Sequence, residues 1–148
     1  MRARRRTTLR FTVDAAFDAV IEGCAGTPRP GQDGTWITPE IVVAYRRLHR
    51  LGIAHSVEAW RENALVGGIY GVDVDGAFAA ESMFHREANG SKLALIRLID
   101  HVRARGLDCI DVQVMTPPLQ RFGARVIHRD VFLAELTRTR GHGLKLFP

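Results

Sequence analysis

The sequence predicts a mixed α/β (α+β) domain in which one sheet is flanked by helices. Apolar residues recur at helical spacing in two well-separated stretches, 17–24 and 95–102. Between them lie three consecutive strand-like runs joined by short turn signals, Arg61-Glu62-Asn63 and Asp75-Gly76. A chain of 148 residues with 46% hydrophobic content buries a core without disulfide or metal staples, so one domain is expected. The predicted order is α-α-β-β-β-α-β-(turn)-β-α, which fits a mixed sheet flanked by helices.

Phe17, Val20, Ile21 and Cys24 recur at i, i+3, i+4 and i+7, marking a helix from about Asp14 that ends before Gly26. Pro28, Pro30, Gly31 and Gly34 make residues 27–34 a surface loop. Thr38 can cap a second helix, Pro39 suits its first turn, Glu40 complements the dipole, and Gly52 closes it. Residues 54–60 and 65–74 form a hairpin, and Asp75-Gly76 leads into a third antiparallel strand over 77–84. Gly67-Gly68 inside the middle strand marks either a bulge or the close approach of a backbone or ligand; a packing bulge is the simpler account. Residues 91–105 form a helix with Leu95, Leu98, Ile99 and Val102 on one face and Gly106 beyond its end. Residues 109–115 read as a strand stopped by Pro117-Pro118. A helical turn over 119–122, a further strand over 123–127 and a helix over 130–136 follow. The segment 137–148 is polar and Gly-containing and carries no element signal.

The net charge of +5 is uneven, because Arg2, Arg4, Arg5, Arg6 and Arg10 precede any acid. Residues 1–12 are expected to form a flexible basic arm, 13–136 the domain and 137–148 a tail. Such an arm reads either as a phosphate contact or as a solvated terminus. Arg46, Arg47, His49 and Arg50 form a second basic group where a helix end favours cations anyway. No apolar run approaches the roughly 18 residues of a spanning helix, and no apolar segment follows the basic start, so a cytoplasmic protein with no membrane partner is expected. Cys24 and Cys109 lack CxxC spacing and read as buried thiols, and the six histidines show no ligand spacing, so no metal is expected.

Three polar clusters punctuate this apolar pattern. At 85–92 a strand ends and a helix begins, and free amides at such a start attract phosphate or carbonyl oxygen. In acyl-CoA-dependent N-acetyltransferases this junction carries a Gly-rich signature. Here Arg86-Glu87-Ala88-Asn89-Gly90-Ser91 retains a residue tolerant of left-handed backbone (Asn89) and a small one (Ser91), without that signature. A capped helix, with Asn89 or Ser91 as cap, explains the residues as well. Asp111 and Gln113, two apart on the strand 109–115, project from one face opposite Ile110, Val112 and Val114. A carboxylate beside an amide can take a proton from an attacking amine and hold a carbonyl. On pattern alone a solvated face of a sheet covered on one side is the simpler account. Glu81, ending the third strand, can hold an ammonium group or lie on the rim.

The segments Gly34-Thr35-Trp36-Ile37-Thr38-Pro39-Glu40, Ala54-His55-Ser56-Val57-Glu58, Leu65-Val66-Gly67-Gly68-Ile69-Tyr70-Gly71-Val72, Glu81-Ser82-Met83-Phe84 and Ile110-Asp111-Val112-Gln113 together resemble the leucyl/phenylalanyl-tRNA–protein transferases, from about Leu9 to Leu136. The resemblance implies an acetyltransferase-like (GNAT-type) fold whose donor is aminoacyl-tRNA and whose acceptor is the N-terminal amine of a protein or peptide beginning with Arg or Lys. It implies that Leu, Phe or Met is moved, and it brings no cofactor, since the donor ester is already activated. By this likeness Asp111 and Gln113 are the catalytic pair and Glu81 lies in the site with Ser82. Ile69, Phe78, Met83 and Leu98 line an apolar pocket for the transferred side chain, and Asn89 and Ser91 shape the adjoining loop. The family also carries a preceding region with a Trp-rich motif for the donor's terminal adenosine, after which this chain starts. A CoA-dependent N-acyltransferase and a non-catalytic tRNA- or peptide-binding module are the alternatives on the same scaffold. The sequence sets no oligomeric state.

Overall fold

The computed structural model describes residues 8–28 and 30–148; the arginines expected to lead the basic arm, Arg2 and Arg4 to Arg6, lie outside them. Four strands, β1 (Arg10–Val13), β2 (Ala54–Arg61), β3 (Ala64–Val74) and β4 (Ala77–His85), form an antiparallel sheet in the order β1-β2-β3-β4. The helices are α1 (Phe17–Gly26), α2 (Pro39–Arg50), α3 (Gly90–Arg103), α4 (Pro117–Arg121) and α5 (Arg129–Gly141). Among the described residues no helix is long and apolar enough to cross a membrane.

The sheet separates two apolar clusters. On one face Phe17, Val20, Ile21 and Cys24 of α1 pack with Ile37, Tyr70 and Phe84, and Ile41, Tyr45 and Leu48 of α2 lie against them. The opposite face buries Val57, Ile69 and Phe78 beneath Leu95, Leu98 and Val102 of α3. The periodicities at 17–24 and 95–102 therefore each fill one side of the same sheet.

Strand β1 corrects the inner limit of the expected arm, because Arg10 to Val13 pair with Trp60 to Val57. Side chains explain the pairing. Glu58 of β2 is fully buried, and its carboxylate accepts from Thr12 Oγ1 at 2.5 Å, Ser56 Oγ at 2.5 Å and Ala15 N at 3.3 Å. Trp60 Nε1 donates to Thr12 Oγ1 at 2.8 Å, and the Arg10 guanidinium lies 5.3 Å from the Trp60 ring. A buried carboxylate needs such donors, and most of them come from β1 and the turn after it.

Helix α2 starts as its sequence dictates: Thr38 accepts from Ile41 N, Pro39 occupies the first turn, and Gly52 (φ 72°) ends the segment. At Gly67 the structure shows both expected features, a close approach and an adjoining bulge. A Cβ there would lie 2.5 Å from the Gly90 carbonyl carbon, and one at Gly90 would lie 2.5 Å from Val66 O. The bulge adjoins Gly67: Ala59 pairs with Gly67 and Trp60 with Leu65, so Val66 is the extra residue on β3, and a second register shift falls at Tyr70/Gly71 against β4. Gly67→Ala is expected to lower stability by about 1–3 kcal/mol, the usual cost of forcing a methyl into a packed contact. A urea midpoint equal to that of the parent chain would rule this out.

Two expected strands do not form. In 109–115 only Asp111 pairs, through an isolated parallel bridge to Ala79, because Gln113 adopts a left-handed φ of 63° and turns the chain away. Residues 123–127 join no strand among the described residues, and Val126 is 81% exposed; Gly123 (φ 91°) breaks the extended run, and the bond from Ala124 N to Leu119 O anchors its start. Cys24 is buried as expected, whereas Cys109, on the loosely paired segment, is exposed.

Helix α5 runs past its expected end to Gly141, and the segment after it packs. Leu146 is fully buried in the α3-face cluster, and Phe147 stacks on His55 (centroids 4.0 Å apart) and His101 (4.9 Å). His101 Nε2 donates to Leu146 O at 2.8 Å, and Arg105 Nη1 lies 3.2 Å from His101 Nδ1, the geometry of a neutral ring. Burial chiefly, then Arg105 and His55, holds the His101 imidazole below its ordinary value against the opposing pull of Leu146 O and Asp14. The unfolded chain therefore takes up this proton at a higher pH than the native chain, so stability falls as pH drops through and below the ordinary histidine range. His101→Gln is expected to flatten the slope of Tm between about pH 7 and pH 5; an undiminished slope would assign that dependence to other groups.

Candidate active site

The candidate site is built where the chain after α3 returns to the outer edge of β4. Asp111 N donates to Phe78 O (3.0 Å) and Ala80 N donates to Asp111 O (2.8 Å). Gln113 N then donates to Asp111 Oδ1 at 2.8 Å, and Gln113 Nε2 donates to Ala80 O at 3.1 Å. The two side chains are thus held by a turn, not by the regular strand that their spacing suggested. Asp111 is half-buried and Gln113 is exposed.

Glu81 lies beside them for a backbone reason. Tyr70 pairs with Ser82 and Gly71 with Ala80, so Glu81 is the extra residue of a bulge and is left without a partner on β3. Bulges re-aim side chains. The half-buried Glu81 carboxylate bonds the Tyr45 phenol of α2, whose pKa is pushed up to about 12, first by burial and then by the charge and hydrogen bond of Glu81. Tyr45 also packs edge-on to Tyr70 at 5.3 Å. Sequence reasoning missed Tyr45, whose place on the α2 stripe with Ile41 and Leu48 reads as core; its hydroxyl was the available signal.

The remaining expected residues divide between the two faces. Ile69, Phe78 and Leu98 are core on the α3 face, 3%, 3% and 2% exposed, and present little surface to an incoming side chain. Met83 packs against the same cluster but is only half-buried, as are Ile110 and Val112. Ser82 is buried and pairs with Tyr70. Asn89 adopts the left-handed backbone its residue type suits (φ 68°) at the N-cap of α3, with no side-chain cap bond. Ser91 is buried, its Oγ 3.3 Å from His85 Nδ1. The loop folds onto β3 because Arg86 N and Glu87 N both donate to Val66 O, at 2.8 and 3.3 Å. A cleft lined by Asp75, Thr137, Arg140, Leu144 and Lys145 lies at the β3–β4 turn and contains none of these residues.

Residues 1–137 match the sequence profile of the leucyl/phenylalanyl-tRNA protein transferases. The chain belongs to this family. A leucyl/phenylalanyl-tRNA–protein transferase of Anaeromyxobacter dehalogenans (strain 2CP-C) is 53% identical over 137 residues, which is 93% of this chain and 59% of the relative. One from Chromobacterium violaceum is 49% identical over 138 residues, with the same two shares. The chain thus spans about three fifths of the length of the curated relatives it matches.

Solved structures agree on the fold. A predicted acetyltransferase from Clostridium acetobutylicum, solved with acetyl-CoA, superposes with a TM-score of 0.57 at 10% identity, covering 82% of this chain and 93% of that one. An aminoglycoside acetyltransferase from an uncultured soil metagenome gives 0.54 at 14% identity, covering 82% and 96%. The chain therefore has an acetyltransferase-like fold, as the resemblance implied.

Proposed function

We propose that this chain carries the aminoacyl-transfer centre of its family and moves Leu, Phe or Met from aminoacyl-tRNA to the N-terminal amine of a protein or peptide beginning with Arg or Lys. The observation that carries this reading is the attachment of Asp111 and Gln113 to Ala80, one residue before the bulged Glu81. The reaction needs a neutral amine, a held ester carbonyl and a route for one proton. Asp111 Oδ1 is engaged by Gln113 N, which orients the carboxylate and leaves Oδ2 to accept the proton of the attacking amine. Gln113 gives its Nε2 to Ala80 O, so its Oε1 is the end that can accept from an amine N–H.

As the C–N bond forms and the ester C–O bond breaks, the proton released by the amine returns to the tRNA 3′-oxygen that leaves. Glu81, with Tyr45 donating to it, receives the ammonium of the transferred residue or of the acceptor. The half-buried Met83, Ile110 and Val112 form the mouth of the side-chain pocket, with Ile69, Phe78 and Leu98 as its floor. Positioning supplies most of the rate, because the ester is already activated.

The test is incubation of the chain with labelled Leu-tRNA or Phe-tRNA and a peptide beginning with Arg or Lys, with the product read by mass. A peptide extended by one residue is expected. Acylation from acetyl-CoA instead, or binding of tRNA without any transfer, would overturn the reading.

A further inference from the structure

Strand β4 runs from Ala77 to His85, yet only its first half is covered on the outer side. The cover is the single bridge from Asp111 to Ala79. It stops for two reasons. The left-handed backbone at Gln113 turns the chain away, and Gln113 Nε2 takes Ala80 O, the acceptor that the next backbone N–H of a continuing strand would use. Beyond the bulge, residues 82–85 pair inward with Tyr70 to Gly67 and have no strand on the outer side among the described residues.

The bulge also sets which groups face outward. Phe78 O and Ala80 N point to Asp111 before it, so even positions face out there. Inserting one residue reverses this, and the inward bond from Arg86 N to Val66 O agrees. Met83 and His85 therefore direct their N–H and C=O groups to the open side.

An open sheet edge is a template for an added strand. We propose that the acceptor's N-terminal segment adds to β4 as an extended strand at Met83 and His85, with its first residue beside Glu81 and Asp111; this rests on the transferase reading above. Charge argues for that occupant, because the near end of the edge carries two half-buried carboxylates that suit an N-terminal ammonium and a basic side chain. Strand addition reads backbone, so one edge serves many proteins that differ beyond their first residues. A second copy of the chain is a poorer fit, since four residues of edge bury far less than the ~1,200 Å² of a stable interface.

Two measurements on the intact chain test this. In hydrogen exchange with a saturating eight-residue peptide beginning with Arg, the amides of Met83 and His85 are expected to gain protection while those of Ser82 and Phe84 stay unchanged. In transfer assays with peptides carrying one N-methyl group at successive backbone positions, KM is expected to rise about three- to tenfold at alternate positions with kcat unchanged, the effect of one lost hydrogen bond. Transfer with equal or no effect at every position overturns strand addition and leaves the transferase reading intact. The protection pattern without transfer to any acceptor upholds peptide docking and rejects the transferase reading. Protection that needs no peptide and grows with protein concentration assigns the edge to a second copy and overturns the proposal.

Discussion

Asp111→Ala is expected to lower kcat/KM for aminoacyl transfer by about 10²- to 10⁴-fold, the range of a positioned proton acceptor. Asp111→Asn sharpens the expectation. Its Oδ1 still accepts from Gln113 N, so the turn survives, but the side chain no longer takes a proton. The asparagine variant should therefore keep the parent's Tm and peptide affinity while its kcat collapses. Transfer by that variant at the parental rate would make the carboxylate a structural member of the turn, and the proton would have to leave by another route. The main-chain bonds of residue 111 to Phe78 and Ala80 do not depend on its side chain, so neither substitution should release the segment from β4.

The second large effect is on stability. Leu146→Ala is expected to cost about 2–5 kcal/mol, because it removes buried methyl groups and leaves a cavity beneath α3. That is a large share of the ~5–15 kcal/mol of a typical domain. Leu146 is fully buried among Val57, Phe78, Leu98 and Val102, and the neighbouring Phe147 lies between His55 and His101. Urea unfolding should show a lower midpoint with an unchanged slope. A shift below about 1 kcal/mol would mean that the cluster collapses onto the vacated space or that the terminal segment is easily shed.

Local signals read well wherever they were also the structural cause. Thr38-Pro39 at the start of α2, Asp75-Gly76 between β3 and β4, and the two helical stripes act through their own neighbours, so pattern alone located them. The failures share a different physics. At 109–115 alternation suggested a strand, but pairing depended on whether β4 offered a partner beyond Ala80, and the backbone at Gln113 denied it. Residues 123–127 alternate but join no strand among the described residues. The closing segment was unreadable because its single buried leucine is held by a face assembled from β2, β4 and α3, which no local window contains. In the site, Asp111, Gln113 and Glu81 came from residue type and family resemblance. Their attachment through one bulge and one amide bond, and the phenol of Tyr45 beside them, emerged only from the folded chain.

The antiparallel direction of β1 has a practical corollary for anyone handling the protein. Arg10 lies opposite Trp60, at the same rim of the sheet as His85 and the start of α3, about 14 Å away across three strand spacings. Phe147, stacked on His55 at the start of β2, marks the far rim. A fluorophore attached at Thr8 would stand at the rim that the acceptor is proposed to use, whereas the terminal segment, with Phe147 5.5 Å from Phe78, lies under the first half of β4.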